Sequence, residues 1–359
     1  MPLTEHENYI KAISRKSPEW IPVSLSFAPG TWKEYRERLE EIVLRHPAVF
    51  PGYAKGSIDF DNSAAETYKL DPDGAKFMNA GDYYRDGWGC LWHCGNDGLG
   101  GQPIEHPLDD WKALDSFQPL DILRKTRWGD DREDWDVVAR RMDENRKKGK
   151  LATARIPCFF DRLHYLRGFE NLLCDFASDP PELARLIEMV LETNMKLVEK
   201  IVSLSPDVVD HHGDIGTQIS LMFSPATFRK YLKPGYTRMF EPFRKAGIPV
   251  RYSSDGKLLA VIDDLVECGI SSHDPQFNVN TPEAIEKTYK GKLCAVVDFG
   301  QEIVLMSPRE IREAIAETVN RISTPEGGLI VRGWAIPDVP LENVEAFCTA
   351  GEEFCLSSR

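Results

Sequence analysis

No stretch of this sequence approaches the roughly 20 consecutive apolar residues that a membrane helix needs. The N-terminus, MPLTEHENYIKAISRKSPEW, has no apolar signal core, so export is not expected and the cytoplasm is the expected compartment. Basic excess is also missing. Asp and Glu number 57 against 44 Lys and Arg, for a net charge of −13, and a field of that sign repels phosphate backbones and anionic lipids. Nucleic-acid and membrane-surface partners are therefore not expected. The G-x-G-x-x-G fingerprint, the P-loop and the G-x-S-x-G elbow are all absent, which removes dinucleotide, nucleoside-triphosphate and serine-hydrolase readings in their simplest forms. Cysteine is not scarce, but paired knuckles are. Cys90-Leu-Trp-His93-Cys94 stands alone, where a structural zinc site usually needs two such pairs. The eight cysteines (90, 94, 158, 174, 268, 294, 348 and 355) read as reduced thiols packed as small hydrophobes.

What is present is a strand–helix alternation. LATARIP (151–157), DVVDHHGDI (207–215), IPVRYSSD (248–255), ISSHDP (270–275), KLCAVVDFG (292–300) and GGLIVRGW (327–334) read as strands, each followed by a segment of helical period. Three of those helices open on a capping residue followed by proline: Ser224-Pro225, Thr281-Pro282 and Ser307-Pro308. IPVSLSF (21–27) supplies a further strand. Six β–α units in succession imply parallel strands with crossover helices. Without a dinucleotide fingerprint at any strand end, a (β/α)8 TIM barrel is favoured over an open doubly wound sheet. A chain of 359 residues suits a single domain of that kind, with 30–150 as an irregular, aromatic and Gly-rich extension. A connection of that length predicts a lid or pocket wall.

A (β/α)8 barrel builds its site at the C-terminal ends of its strands. Those ends carry Asp214, Asp255, Asp274 and Asp298, with His212 and His273 in the same segments. Each Asp alone could be a helix cap. Together they form a crowded rim, and crowded carboxylates raise one another's pKa, which is how a site makes a proton donor near neutral pH. His211 and His212 are adjacent on a strand, so their side chains point to opposite faces and do not share a metal.

The segments GDIGTQISLMFSPATFRKYLKP (213–234), VRYSSDG (250–256), ECGISSHDPQ (267–276), the Asp298 strand with its following SPREI, and GGLIVRGWAIPDVPLENVEAF (327–347) resemble the uroporphyrinogen decarboxylase superfamily. RDGWGCLW (85–92) and LRGFENLL (166–173) resemble a branch of it distinct from true porphyrinogen decarboxylases and closer to corrinoid-dependent methyltransferases and O-demethylases. The resemblance implies a (β/α)8 barrel. Its N-terminal two-arginine motif for substrate carboxylates is not reproduced in SFAPGTWKEYRERL (26–39), and a late-strand histidine falls at Trp334. The zinc ligands of the superfamily's methyltransferases fall at Ser253, Asp255 and Trp334. Serine and tryptophan do not serve as zinc ligands, so zinc is not expected.

The expectation is a methyltransferase that passes a methyl group from a small methoxylated or methylated compound to a corrinoid (cobalamin) carried by a partner protein, with no tightly bound cofactor. Asp214, Asp255, His212 and His273 are the expected catalytic residues. Trp88, Tyr252 and Trp334 are the expected apolar wall, and Gln218, Asp274, Gln276 and Asp298 complete the substrate-binding set. The alternatives are a decarboxylase, with Arg155, Arg162, Arg251 and Arg332 as the available cations, and a non-catalytic binding barrel, which predicts a pocket without a perturbed titratable pair. A homodimer is the default assembly.

Overall fold

The computed structural model describes residues 3–61, 73–74, 76–95, 99–300 and 302–356. Seven strands form one parallel sheet: β1 (Val23–Phe27), β2 (Thr153–Ile156), β3 (Val208–His212), β4 (Val250–Ser253), β5 (Ser272–His273), β6 (Cys294–Asp298) and β7 (Leu329–Ala335). Their spatial order is β1-β7-β6-β5-β4-β3-β2, and every neighbouring pair is parallel. Consecutive strands from β2 onward are thus neighbours, as in a barrel, and the sheet curls around a common interior. The expected eighth strand is not formed among the described residues, so β1 and β2 remain the two edges. Residues 46–134 lie between the helix Pro29–Arg45 and the helix Trp135–Lys147. This segment forms short antiparallel ladders instead, among them Tyr83–Arg85 with Leu91–His93 and Leu91–His93 with Gln102–Glu105.

The crossover helices cover the outside of the sheet. Pro181–Ser203 buries Leu183, Leu186, Val190, Leu197 and Ile201 at helical spacing. Ser224, Thr281 and Ser307 each accept a backbone N–H at the start of their helices, and Pro225, Pro282 and Pro308 sit in the first turn. A π-helical turn at Phe228–Leu232 precedes Pro234, whose missing N–H frees one carbonyl of the helical ladder. No helix among the described residues is long and apolar enough to cross a membrane.

Register sorts the strand side chains into two faces. Ile156, His211, Tyr252, His273 and Ala295 stand side by side across five strands. This row faces the helices: the His211 ring lies 5.5 Å from Tyr236 and 5.2 Å from Phe240, and His273 lies 5.9 Å from Tyr289. The alternate positions Arg155, His212, Ser253, Asp298 and Arg332 line the interior. At the N-terminal end of the strands the helix Glu5–Ile13 acts as a plug. Tyr9, Ile10, Ala12 and Ile13 pack on Val208, Cys294, Val296 and Ile330. Arg251 donates to Asp210 at 2.8 Å and to the Tyr9 hydroxyl at 2.6 Å, so the inward charges at this level are paired.

Candidate active site

Two loops, after β3 and β4, lie against each other at the C-terminal end of the sheet. Gly256 has φ of +90°, and a Cβ there would fall 2.6 Å from the Gly216 carbonyl carbon. Glycine is required by both the backbone conformation and the approach. The Lys257 N–H donates to the Thr217 carbonyl at 2.9 Å, and the Asp255 N–H donates to Asp214 Oδ1 at 2.9 Å. His212 Nε2 stands 3.7 Å from Asp214 Oδ2. Burial raises the Asp214 carboxyl above its ordinary range, and Asp161 and Asp274 add to the rise, against the opposing pull of His212 and the Asp255 N–H. Asp255, at the exposed lip, is raised by partial desolvation and by the charges of Asp214 and Asp274. Both groups are therefore biased toward the protonated, proton-donating form.

The other two strand-end acids are held differently. Asp274 accepts the Ser253 hydroxyl at 2.6 Å and Arg332 Nη2 at 2.9 Å. Asp298 accepts Arg332 Nε at 3.0 Å and the Gly300 N–H at 2.8 Å. One guanidinium thus clamps two carboxylates. Glu302 is buried beside them, and burial followed by the Asp298 charge raises its carboxyl.

Two cavities meet here. The outer one, about 910 Å³, is lined by Asp255, Asp274, Gln276, Asp298, Arg332 and Trp334 among others. The inner one, about 250 Å³, is walled by Trp88, Trp92, Trp128 and Tyr165, with Cys158 and Asp161. Arg155 and His212 line both. The wall is tied to the barrel by a buried ion pair. Asp86 accepts Arg162 Nη1 at 3.0 Å, Trp92 Nε1 at 3.1 Å and the N–H groups of Trp88 and Cys90, each at 2.9 Å. Asp161 is also buried. Burial opposes its charge, but His164, followed by His212 and His211, outweighs burial and holds its carboxyl below the usual range.

The model of the uroporphyrinogen decarboxylase (URO-D) family matches residues 156–354, more than half of the chain. The protein belongs to the uroporphyrinogen decarboxylase family. Among solved structures, a methyltransferase from Methanosarcina mazei superposes with a TM-score of 0.66 at 15% identity, covering 98% of this chain and 99% of that one. A D-psicose 3-epimerase in the presence of D-fructose gives a TM-score of 0.37 at 10% identity, over 62% of this chain and 84% of that one. Comparison with curated proteins gives no match. The first likeness shows a shared fold over the whole length.

Within this family member, the structure brings together Asp255, His212, Asp274, Gln276, Asp298 and Trp334 at the outer cavity, sets Asp214 beside His212 and the Asp255 N–H, and places Trp88 in the wall of the inner cavity. Gln218 is exposed and donates to Gln276 at 3.3 Å. Two expectations are corrected. Tyr252, expected as an apolar wall, is fully buried on the helix side and donates its hydroxyl to the Gly213 carbonyl at 2.9 Å. His273, expected to be catalytic, is fully buried with Nδ1 2.8 Å from the Tyr289 hydroxyl. Both occupy the helix-facing row, which alternation along the strands assigns away from the site. Of the positions that match zinc ligands in related methyltransferases, Ser253 donates its hydroxyl to Asp274 and Trp334 is an indole. This donor set does not fit zinc, and no other group of three His, Cys, Asp or Glu side chains among the described residues is placed to hold a metal. Cys90 is buried, donates to the Tyr165 carbonyl at 3.2 Å, and has its thiol pushed up to about 12 by burial. Sequence reasoning missed Asp161, Glu302, Arg127 and Trp128. The period-2 rule applied from Arg155, with the helix start that follows β2, is the signal that reaches Asp161.

Proposed function

We propose that this protein is a methyltransferase that moves a methyl group from a small methoxylated or methylated compound to a corrinoid carried by a partner protein. The observation that carries the reading is the Asp214–Asp255 pair, two carboxyls biased toward protonation, with Asp255 at the open mouth and Asp214 3.7 Å from His212, which lines both the mouth and the aromatic chamber. In the reaction the methyl carbon–oxygen bond breaks and its electron pair stays on oxygen. Asp214, oriented by its bond from the Asp255 N–H and by His212, gives that oxygen a proton. The pair for the new bond to carbon comes from the acceptor. General acids of this kind contribute about 10²–10⁴-fold. The outer cavity is the entrance through which a macromolecule-borne acceptor reaches the methyl group. The structural likeness to a methyltransferase supports this reading, and the perturbed pair argues against a non-catalytic binding barrel. The decisive experiment mixes the protein with a cob(I)alamin-loaded corrinoid protein and a panel of methoxyarenes, and follows methylcobalamin absorbance. Methyl transfer that requires Asp214 is the expected result. Carbon dioxide release from a carboxylated substrate, with no methyl transfer from any donor, would overturn it. That outcome would favour decarboxylation, a second reading supported by Arg155 and Arg332 at the same mouth.

A further inference from the structure

The two cavities differ in the sign of their charge. The outer lining carries Asp255, Asp274, Asp298 and Glu302 against Arg155 and Arg332. The inner lining carries Lys76, Arg127, Arg155 and Arg162 against Asp73 and Asp161. In a chain with 57 acidic and 44 basic residues, the basic surplus of this partly open chamber runs against the overall charge. Arg162 is paired with Asp86, and Asp73 with Arg132 at 2.6 Å. Asp161 lies 3.8 Å from His164, and its Oδ2 is buried without a hydrogen-bond partner. Arg127 is not paired. Its guanidinium lies over three aromatic rings, 4.5 Å from Trp128, 5.7 Å from Trp92 and 5.9 Å from Tyr165. It makes no ion pair among the described residues, and its Nε is buried without a hydrogen-bond partner. A half-buried guanidinium held by ring faces alone keeps its planar fork of donors available to a carboxylate.

We propose that the inner cavity is a subsite for a small aromatic carboxylate, with Arg127 as the receptor for the carboxylate and the tryptophan walls as the receptor for the ring. The inference rests on the methyltransferase reading for its place in catalysis: an anion held inside leaves the opposite end of the ring, bearing the methyl group, toward His212 and Asp214. Binding itself does not need that reading. Offset stacking on the indoles selects a planar ring, and the half-buried guanidinium selects the anion.

The test is a titration of tryptophan fluorescence, since Trp88, Trp92 and Trp128 line the cavity. The probes are benzoate, its neutral isostere benzamide, and the non-planar cyclohexanecarboxylate. Saturable quenching by benzoate is expected, with both other probes weaker by about tenfold or more, a step of about 1.4 kcal/mol. Arg127→Gln should weaken benzoate by about tenfold and leave benzamide unchanged, while Arg127→Lys falls between. Equal affinity for benzoate and benzamide, or benzoate binding untouched by Arg127→Gln in a folded variant, overturns the anion assignment. Equal affinity for cyclohexanecarboxylate overturns the aromatic one. If Arg127→Gln does not fold, the three-probe ratio on the unaltered protein decides. Benzoate has no methyl group to transfer, so its binding upholds the subsite even where methyl transfer fails. Equal turnover of neutral methoxybenzene and a methoxybenzoate would uphold methyl transfer and sink the subsite.

Discussion

Replacing Asp86 with alanine should be among the most damaging single changes away from the barrel itself. The Asp86 side chain is 0% exposed and that of Arg162 2%. The carboxylate accepts four hydrogen bonds, two from backbone N–H groups, one from an indole and one from the guanidinium. Its loss leaves a buried cation without a counter-charge, a change that costs about 3–5 kcal/mol. Two buried N–H groups also lose their acceptor, at about 1–3 kcal/mol each where the loop cannot relax. The costs overlap, and a total of about 5 kcal/mol is expected, comparable with the whole stability of many domains. Asp86→Asn keeps an oxygen for the two N–H groups but turns an amide donor toward the indole N–H and Arg162. It should lose about 3 kcal/mol. Arg162→Met alone strands the carboxylate, whereas Asp86→Ala with Arg162→Met removes both charges and should recover much of the loss. Urea denaturation followed by tryptophan fluorescence measures all four. Single variants that cost less than about 1 kcal/mol, or a double variant no better than Asp86→Ala, would show that the ion pair does not anchor the wall.

Three further changes test the site and its frame. Asp214→Asn should slow methyl transfer by about 10²-fold or more while leaving donor binding within a few-fold, and single-turnover rates separate the two. Because the Asp214 carboxyl is raised, the rate should fall as pH rises through its pKa. A rate that climbs with pH instead assigns Asp214 as a base. Burial lowers His211 to about 3, so between about 6.5 and 3 the unfolded chain binds a proton that the folded one refuses. Stability then drops on acidification by about 1.4 kcal/mol per pH unit in that window. His211→Phe should lose about 2 kcal/mol less than the parent between pH 7 and pH 5 by urea denaturation, with an equal loss counting against the burial argument. Gly256→Ala, at φ +90° with a Cβ 2.6 Å from the Gly216 carbonyl carbon, should cost about 3 kcal/mol and separate Asp214 from Asp255. Thermal unfolding and transfer rate should both fall.

Much of the frame was legible because it rests on local chemistry. Ser224-Pro225, Thr281-Pro282 and Ser307-Pro308 announce helix starts by capping and a fixed φ, and all three are found as written. Among the described residues the sheet is one strand short of eight, and no local rule says whether the irregular segment 46–134 feeds the sheet or leaves it. At the site, the strand-end acids were visible as a set, but their division was not. Asp274 and Asp298 are ion-paired by Arg332, which faces Asp298 only through the β6–β7 register. Tyr252 and His273 lie away from the rim because adjacent residues of a strand point to opposite faces. With His212 facing in, register puts Ser253 in and Tyr252 out, and the neighbouring strand puts His273 out with it.

The same register explains why the two raised carboxyls at the β3 and β4 ends gather on one side of the mouth. The interior of this sheet is charged at every level, which only pairing makes tolerable. At the lower level Asp210 meets Arg251 and Tyr9. At the upper level, on the β5–β7 side, Arg332 satisfies Asp274 and Asp298 together. On the β3–β4 side no Arg or Lys pairs with Asp214 or Asp255 among the described residues, and the nearest cationic option is His212, 3.7 Å away. A proton is the least expensive counter-charge left for that pair. The loop contact at Gly216 and Gly256 holds the two acids together, His212 beside them lines the inner cavity, and the acids opposite are committed to Arg332. Under the proposed function, proton donation falls to the β3–β4 loops, and a substrate presents its leaving atom there.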